Sequence, residues 1–178
     1  MRTLNFRIAQ MDDAGAIAQL VNEAYRPKTG DGGWTHESDL VSGNRTNTEQ
    51  VESLIKQENS VVLLGLHGTT VVACVHTEKD GTSANIGMLA VSPTLQGAGA
   101  GKEVLAFAEA YTAKNFGSEN FAMVVVAERT ELISFYLRRG YEKTGNMMEY
   151  PLGTGVGTPK FNTLKIEVLH KKNPGQRA

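Results

Sequence analysis

The sequence predicts a mixed α/β fold in which one central, mostly antiparallel sheet is flanked by helices. Three observations carry this. Apolar runs of strand length alternate with apolar stripes of helical spacing along most of the chain. Three of the strand-like runs, at 61–66, 71–77 and 86–91, follow one another with only turn signals between them, as in an antiparallel meander. The third run is followed by a helical stripe and a further strand, 121–126, which is the order of a crossover joining two parallel strands.

Element by element, residues 4–9 alternate apolar and polar side chains and read as a first strand. Asp12 can cap a helix whose inner stripe is Ile17, Leu20, Val21 and Ala24. Pro27 with Gly30, Gly32 and Gly33 breaks regular structure, so 25–43 is a loop or a broken helix holding the only tryptophan, Trp34. Thr46 and Glu49 have the spacing of a capping box, and Val51, Leu54 and Ile55 give the second helix its apolar side. The turns of the meander are His67-Gly68-Thr69-Thr70 and Asp80-Gly81. A long helix is expected over 101–116, carrying Val104, Phe107, Ala108 and Tyr111 on one face, then a short one containing Phe135-Tyr136 and ended by Gly140. Residues 141–150 and 164–169 make a closing hairpin across a long connection, 151–162, rich in Gly and Pro. One domain over residues 1–170 is expected, with 171–178 as a flexible tail.

Composition narrows the function classes. A formal net charge of −1 over 178 residues, with both signs interspersed, gives no basic face for nucleic acid. A small-molecule or peptide partner is the natural expectation. The single cysteine, Cys74, lies in an apolar strand, so no disulfide framework forms and the residue reads as a small buried hydrophobe. No apolar run approaches the roughly 20 residues needed to cross a bilayer, and the first ten residues lack a cationic segment leading into an apolar stretch. A cytoplasmic protein with no membrane partner and no metal is expected, and a homodimer is left open.

The chemistry is concentrated at residues 91–102, Val-Ser-Pro-Thr-Leu-Gln-Gly-Ala-Gly-Ala-Gly-Lys, where a strand end enters a glycine-rich loop that opens onto a helix. Glycines at alternate positions let backbone approach a ligand without Cβ obstruction, and the unpaired N–H groups of a helix start favour anions. A P-loop would need Gly at Gln96 and Ser or Thr at Glu103, so ATP by that route is excluded. A dinucleotide fingerprint would need Gly at Lys102 or at Val104, so that reading fails as well. The pattern that fits is Gln-x-x-Gly-x-Gly, spelled Gln96, Gly99 and Gly101, directly after Leu89-Ala90-Val91-Ser92-Pro93.

This loop resembles the acyl-CoA-binding motif of the GNAT superfamily of N-acyltransferases. A second block agrees in order and spacing: the strand 121–126, a helix bearing Tyr136, and Gly140-Tyr141 opening another strand. The family often has Asn seven residues before that Tyr, where this chain has Arg129, whose guanidinium could instead pair with a phosphate. The resemblance implies a GNAT-like acyl-CoA N-acyltransferase fold and acetyl-CoA as co-substrate. It implies a cofactor site of Leu89, Ala90, Val91, Gln96, Gly97, Ala98, Gly99, Ala100, Gly101 and Lys102, with Arg129 beside it. The acceptor would be a primary amine of a small molecule, amino acid or peptide that attacks the thioester directly. An alternative is a module that senses acyl-CoA after losing catalysis.

The resemblance also assigns roles. The Leu89 N–H would face the thioester oxygen, where one donor in a water-poor site is worth about 2.7 to 4 kcal/mol. Tyr136 would protonate the leaving thiolate, since reference pKa values of about 10 for a phenol and about 8.5 for a thiol lie close together. The place where some members carry a basic Glu is Asn85 here, which cannot serve. Glu37 and then His76 are the candidate bases, with water carrying the proton away as the alternative. Tyr25, Trp34, Arg45 and His76 are the expected acceptor contacts, an aromatic with an Arg being suited to a substrate that carries a carboxylate.

Overall fold

In the computed structural model, residues 3–28 and 33–175 are described, so Gly30, Gly32 and the expected tail beyond residue 175 lie outside them. The chain runs β1 (Asn5–Ile8), α1 (Ala14–Tyr25), β2 (Val41–Ser42), α2 (Thr48–Lys56), β3 (Ser60–His67), β4 (Thr70–Asp80), β5 (Ser83–Val91), α3 (Ala100–Phe116), β6 (Asn120–Val126), α4 (Thr130–Leu137), β7 (Glu142–Glu149), β8 (Thr158–Pro159) and β9 (Lys165–Lys172). Seven strands form one sheet in the order β1-β3-β4-β5-β6-β9-β7. Every neighbouring pair is antiparallel except β5 and β6, which the α3 crossover makes parallel. The expected fold class is the observed one.

Alternation along the strands divides the core. Leu63, Ala73, Val75, Ile86, Phe121 and Leu169 face α3 and α4, whereas Val62, Leu64, Cys74, Met88 and Ala90 face α1 and α2. In an unbroken strand Ile86, Met88 and Ala90 would share a face. They do not, because β5 contains a bulge: β4 advances from Cys74 to His76 while β5 spends three residues, from Ala90 back to Gly87. Met88 sits inside it with φ of 49°, in the left-handed region that non-glycine residues avoid.

Local chemistry differs from expectation at several ends. The turn before α1 is held by Asp13, whose carboxylate accepts the Gln10 N–H at 2.7 Å, and not by Asp12. α2 is capped by Asn47, which accepts the Gln50 N–H at 2.8 Å. Thr46 bonds the Gln50 side chain at 3.0 Å, so the box starting at Thr46 is displaced by one residue. The connection 151–162 contains β8, which pairs with β2 and lays this loop against residues 41–42. β7 and β9 pair as expected, but β9 lies between β6 and β7 and extends through Lys172. Lys171 is opposite Phe121 and reaches Glu109 of α3 at 2.8 Å. The ordered sheet therefore passes the boundary expected at residue 170.

Candidate active site

β5 and β6 are paired only from Ser83 to Asn85, opposite Asn120 to Ala122. Beyond that point they diverge. The Ser92 N–H donates to Val72 O at 2.8 Å, and Ala90 lies opposite Cys74 in the same phase. By alternation the backbone groups of Val91 point the other way, into the opening between β5 and β6, and Leu89, within the bulge, lines that opening. One of them is occupied, since the Gln96 side-chain amide donates to Val91 O at 3.2 Å.

On one side of the opening is a cleft of about 510 Å³ lined by Leu89, Ala90, Val91, Gln96, Gly97, Gly99, Gly101, Lys102 and Arg129, with Tyr136 at its inner end. Gly97 and Gly99 have φ of 82° and 89°, which requires glycine at both. Gly99 is the N-cap of α3, and the Glu103 N–H is the first to find a helical acceptor, Gly99 O at 3.1 Å. The N–H groups of Ala100, Gly101 and Lys102 thus lack intrahelical partners. Gly101 has ordinary helical φ, and a Cβ there would stand 3.5 Å from the Phe135 ring. Such a cradle suits a diphosphate, so these residues fit the CoA that the sequence implies. Ala98 and Ala100 do not line the cleft with their side chains, Ala100 being part of the core.

Arg129 lines the cleft. Its guanidinium donates to Thr35 Oγ1 at 2.8 Å and approaches Glu37 at 3.4 Å, so two of its three nitrogens have protein partners. The cations beside the cleft that enter no ion pair among the described residues are Lys102, Arg138 and Arg139. Arg139 lies 3.6 Å from the Phe135 ring centroid. Phe135 is in turn 6.3 Å from Trp34, which is 46 % exposed at the cleft mouth.

On the other side of the opening lies a second cavity of about 160 Å³. Tyr25, Leu89, Arg129, Leu132 and Tyr136 line both. The Tyr136 phenol is buried, makes no hydrogen bond to protein among the described residues, and is pushed upward in pKa by that burial, with Arg129 and Arg139 opposing. Burial also raises Tyr25, whose ring has Arg45 and Arg129 each 5.5 Å from its centroid. Glu37, also on the wall, is 4 % exposed. One of its oxygens takes two guanidinium contacts from Arg26, and the other faces Arg129. Both oxygens are thus taken, which argues against Glu37 as a free base.

Of the expected acceptor contacts, Tyr25 and Arg45 line the second cavity, while Trp34 lines only the first. His76 lines neither. It bonds Ser60 Oγ at 2.7 Å, and burial first, then Arg45, lowers its pKa to about 4. Residues that sequence reasoning passed over are Arg26, Thr35 and Tyr150, the last of which accepts from Arg26 at 3.1 Å, and Met88. A glycine inside a strand pattern, Gly87, was the available signal for the bulge.

A parallel strand pair that opens beside a glycine-rich helix start, with a phenol across the gap, defines a class of proteins that hold an acyl carrier by its backbone. A family model described as an acetyltransferase (GNAT) domain matches residues 37–150, and the chain belongs to that family of N-acetyltransferases. Solved structures share its fold. A spermidine N-acetyltransferase chimera from Vibrio cholerae and hSSAT superposes with a TM-score of 0.69 at 14 % identity over 96 % of each chain. The ribosomal-protein-S18-alanine N-acetyltransferase from Escherichia coli gives 0.69 at 13 %, covering 98 % of this chain and 99 % of that one. The PaiA N-acetyltransferase from Thermoplasma acidophilum, solved in complex with coenzyme A, gives 0.68 at 16 %, covering 97 % and 100 %. No curated protein matches the sequence.

Proposed function

We propose that the protein transfers an acetyl group from acetyl-CoA to a primary amine by direct attack of the amine on the thioester. The observation that carries this reading is the meeting of the two cavities at Leu89 and Tyr136, in the opening between β5 and β6. Acetyl-CoA supplies the activated acetyl group. Gly97, Gly99 and the N–H groups at the start of α3 hold its diphosphate, with Lys102, Arg138 and Arg139 as the nearby cations. The N–H of Leu89, a residue lining the opening, donates to the oxygen on which negative charge gathers. Binding the pantetheine arm along Val91 requires the Gln96 amide to give up the Val91 carbonyl.

Tyr136 donates its proton to the departing sulfur. Its raised pKa makes it a weaker acid than a free phenol, so transfer completes late, as the C–S bond breaks. Glu37 positions Arg129 and Arg26 rather than serving as base, and the amine proton leaves to solvent through the second cavity. A sensor that binds acyl-CoA without turnover draws on this lack of a free carboxylate.

A thiol-release assay against a broad amine panel decides between the two. Tyr136→Phe should lower kcat by about 10² to 10⁴ and leave the Kd for CoA unchanged by calorimetry, because only the phenolic oxygen is lost. A folded variant within about threefold of wild type removes Tyr136 from the mechanism. CoA binding with no amine acetylated favours the sensor.

A further inference from the structure

The second cavity carries a net positive charge on its walls. Its charged residues are Glu37, Arg45 and Arg129. The one carboxylate is already engaged by Arg129 and by Arg26 behind it, so the group as a whole carries an excess of two positive charges. Neither guanidinium on the wall is satisfied. Arg129 is 5 % exposed, and its Nε–H is buried without a hydrogen-bond partner. The Arg45 side chain makes no hydrogen bond or ion pair among the described residues and rests on the Tyr25 ring. The Arg129 Nε–H is enclosed by protein, so Arg45, on the cavity wall with no partner among the described residues, is the guanidinium open to a ligand acceptor. Hydrocarbon from Met88, Met123, Val125, Leu132 and Ile166 makes up much of the remaining wall, beside the rings of Tyr25, Tyr136 and Tyr150.

We infer that the acceptor is an apolar amino acid, held by its carboxylate between Arg45 and Arg129, with its hydrocarbon against the sheet and its amine at the opening beside Leu89. This rests on the N-acetyltransfer reading and adds the substrate class. The unpaired Arg45 guanidinium, with the charge of Arg129 beside it, recognises a planar carboxylate, and the cavity of about 160 Å³ limits the acceptor to a small molecule. The same charge repels a polyamine or a lysine side chain, whose cations would enter a site with no free carboxylate. In the reaction the amino acid's neutral nitrogen forms the C–N bond to the acetyl carbon, the C–S bond breaks, and its electron pair goes to sulfur, which takes the Tyr136 proton. The nitrogen's surplus proton passes to solvent and the phenol is reprotonated. The products are the N-acetylamino acid and CoA thiol with no net proton change from the neutral amine, and a substrate that arrives as the ammonium releases one proton before it attacks.

The experiment uses the full chain and pairs alanine, valine, leucine and methionine with their decarboxylated amines, plus spermidine, in the thiol-release assay. Calorimetry of the same ligands is run on the protein saturated with CoA. An amino acid should exceed its decarboxylated amine in kcat/KM by about tenfold to a hundredfold, the worth of a charge-assisted contact, and spermidine should be the poorest substrate. Arg45→Gln should raise the KM of the amino acid by about tenfold or more and lower that of the decarboxylated amine as the repulsion is relieved, so that discrimination collapses. Amines acetylated as well as their amino acids, or spermidine preferred, overturn the inference and leave N-acetyltransfer standing. Amino acids that bind the CoA complex and lose that binding in Arg45→Gln, with no thiol released from any amine, uphold the carboxylate site and refute catalysis. No heat of binding from any of the four amino acids refutes the site outright.

Discussion

Glu37 shows how burial fixes a residue's role. Its carboxylate lies between Arg26 and Arg129, all three side chains no more than 6 % exposed, and Arg26 continues the network to Gly43 O and Val156 O. Removing the carboxylate leaves two buried guanidiniums facing each other, so Glu37→Ala should destabilise the fold by about 3–5 kcal/mol, measured as a lower urea midpoint at unchanged m. A loss below about 1 kcal/mol would mean that the network is solvated in solution. The sequence led to an expectation of Glu37 at the acceptor wall, and the residue lines the second cavity. The sequence could not show the arginines that occupy it, because Arg26 and Arg129 are 103 positions apart in the chain and meet only at Glu37, where the end of α1 and the start of α4 come together. His76 was misread for the same reason: its strand was legible, but its partner Ser60 comes from the neighbouring strand.

At the scale of elements, the junction of the glycine loop with α3 was legible almost residue for residue, because glycine is what left-handed backbone demands and helical spacing marks the segment after it. Gly99→Val forces a branched residue into φ of 89° and puts a side chain beside the helix N–H groups. CoA affinity should fall by at least about tenfold by calorimetry, with far-ultraviolet circular dichroism retained. Unaltered affinity would place the diphosphate elsewhere. The strand β5 was legible as a strand but not as an irregular one. Nothing in Gly87-Met88-Leu89 announces a positive φ at methionine, since that torsion is imposed by the demands of two cores on opposite faces of the sheet. The caps of α1 and α2 were each missed by one residue, which is the distance between neighbouring polar side chains competing for the same N–H groups.

For the molecule as a whole, the order of helices and strands was legible, and the sheet order at its far edge was not. β9 inserts between β6 and β7 and ties the end of the described chain to the middle of the sheet. The tie has three parts. Lys171 pairs with Glu109, Tyr141 donates to the same carboxylate at 2.9 Å, and the Asn173 backbone and side chain bond Glu119 and Ser118. Ending the chain after His170 should therefore lower Tm by at least about 2–4 °C, the equivalent of 1 kcal/mol in a domain of this size. A melting curve identical to that of the full chain would show that the sheet needs nothing beyond residue 170. A Lys and a Pro/Gly-containing terminus suggested fraying, but two lysines can end a strand when a half-buried glutamate pairs with one of them.

The bulge at Met88 sets two kinds of fitness against each other. A designer asked to improve this sheet would delete the extra residue, restore even pairing between β4 and β5, and relieve the one buried torsion that methionine dislikes. The result would be a more regular strand with Leu89 moved from the place where the proposed acetyl transfer needs it. Any search for stabilising changes should therefore treat that irregularity as cargo to be carried.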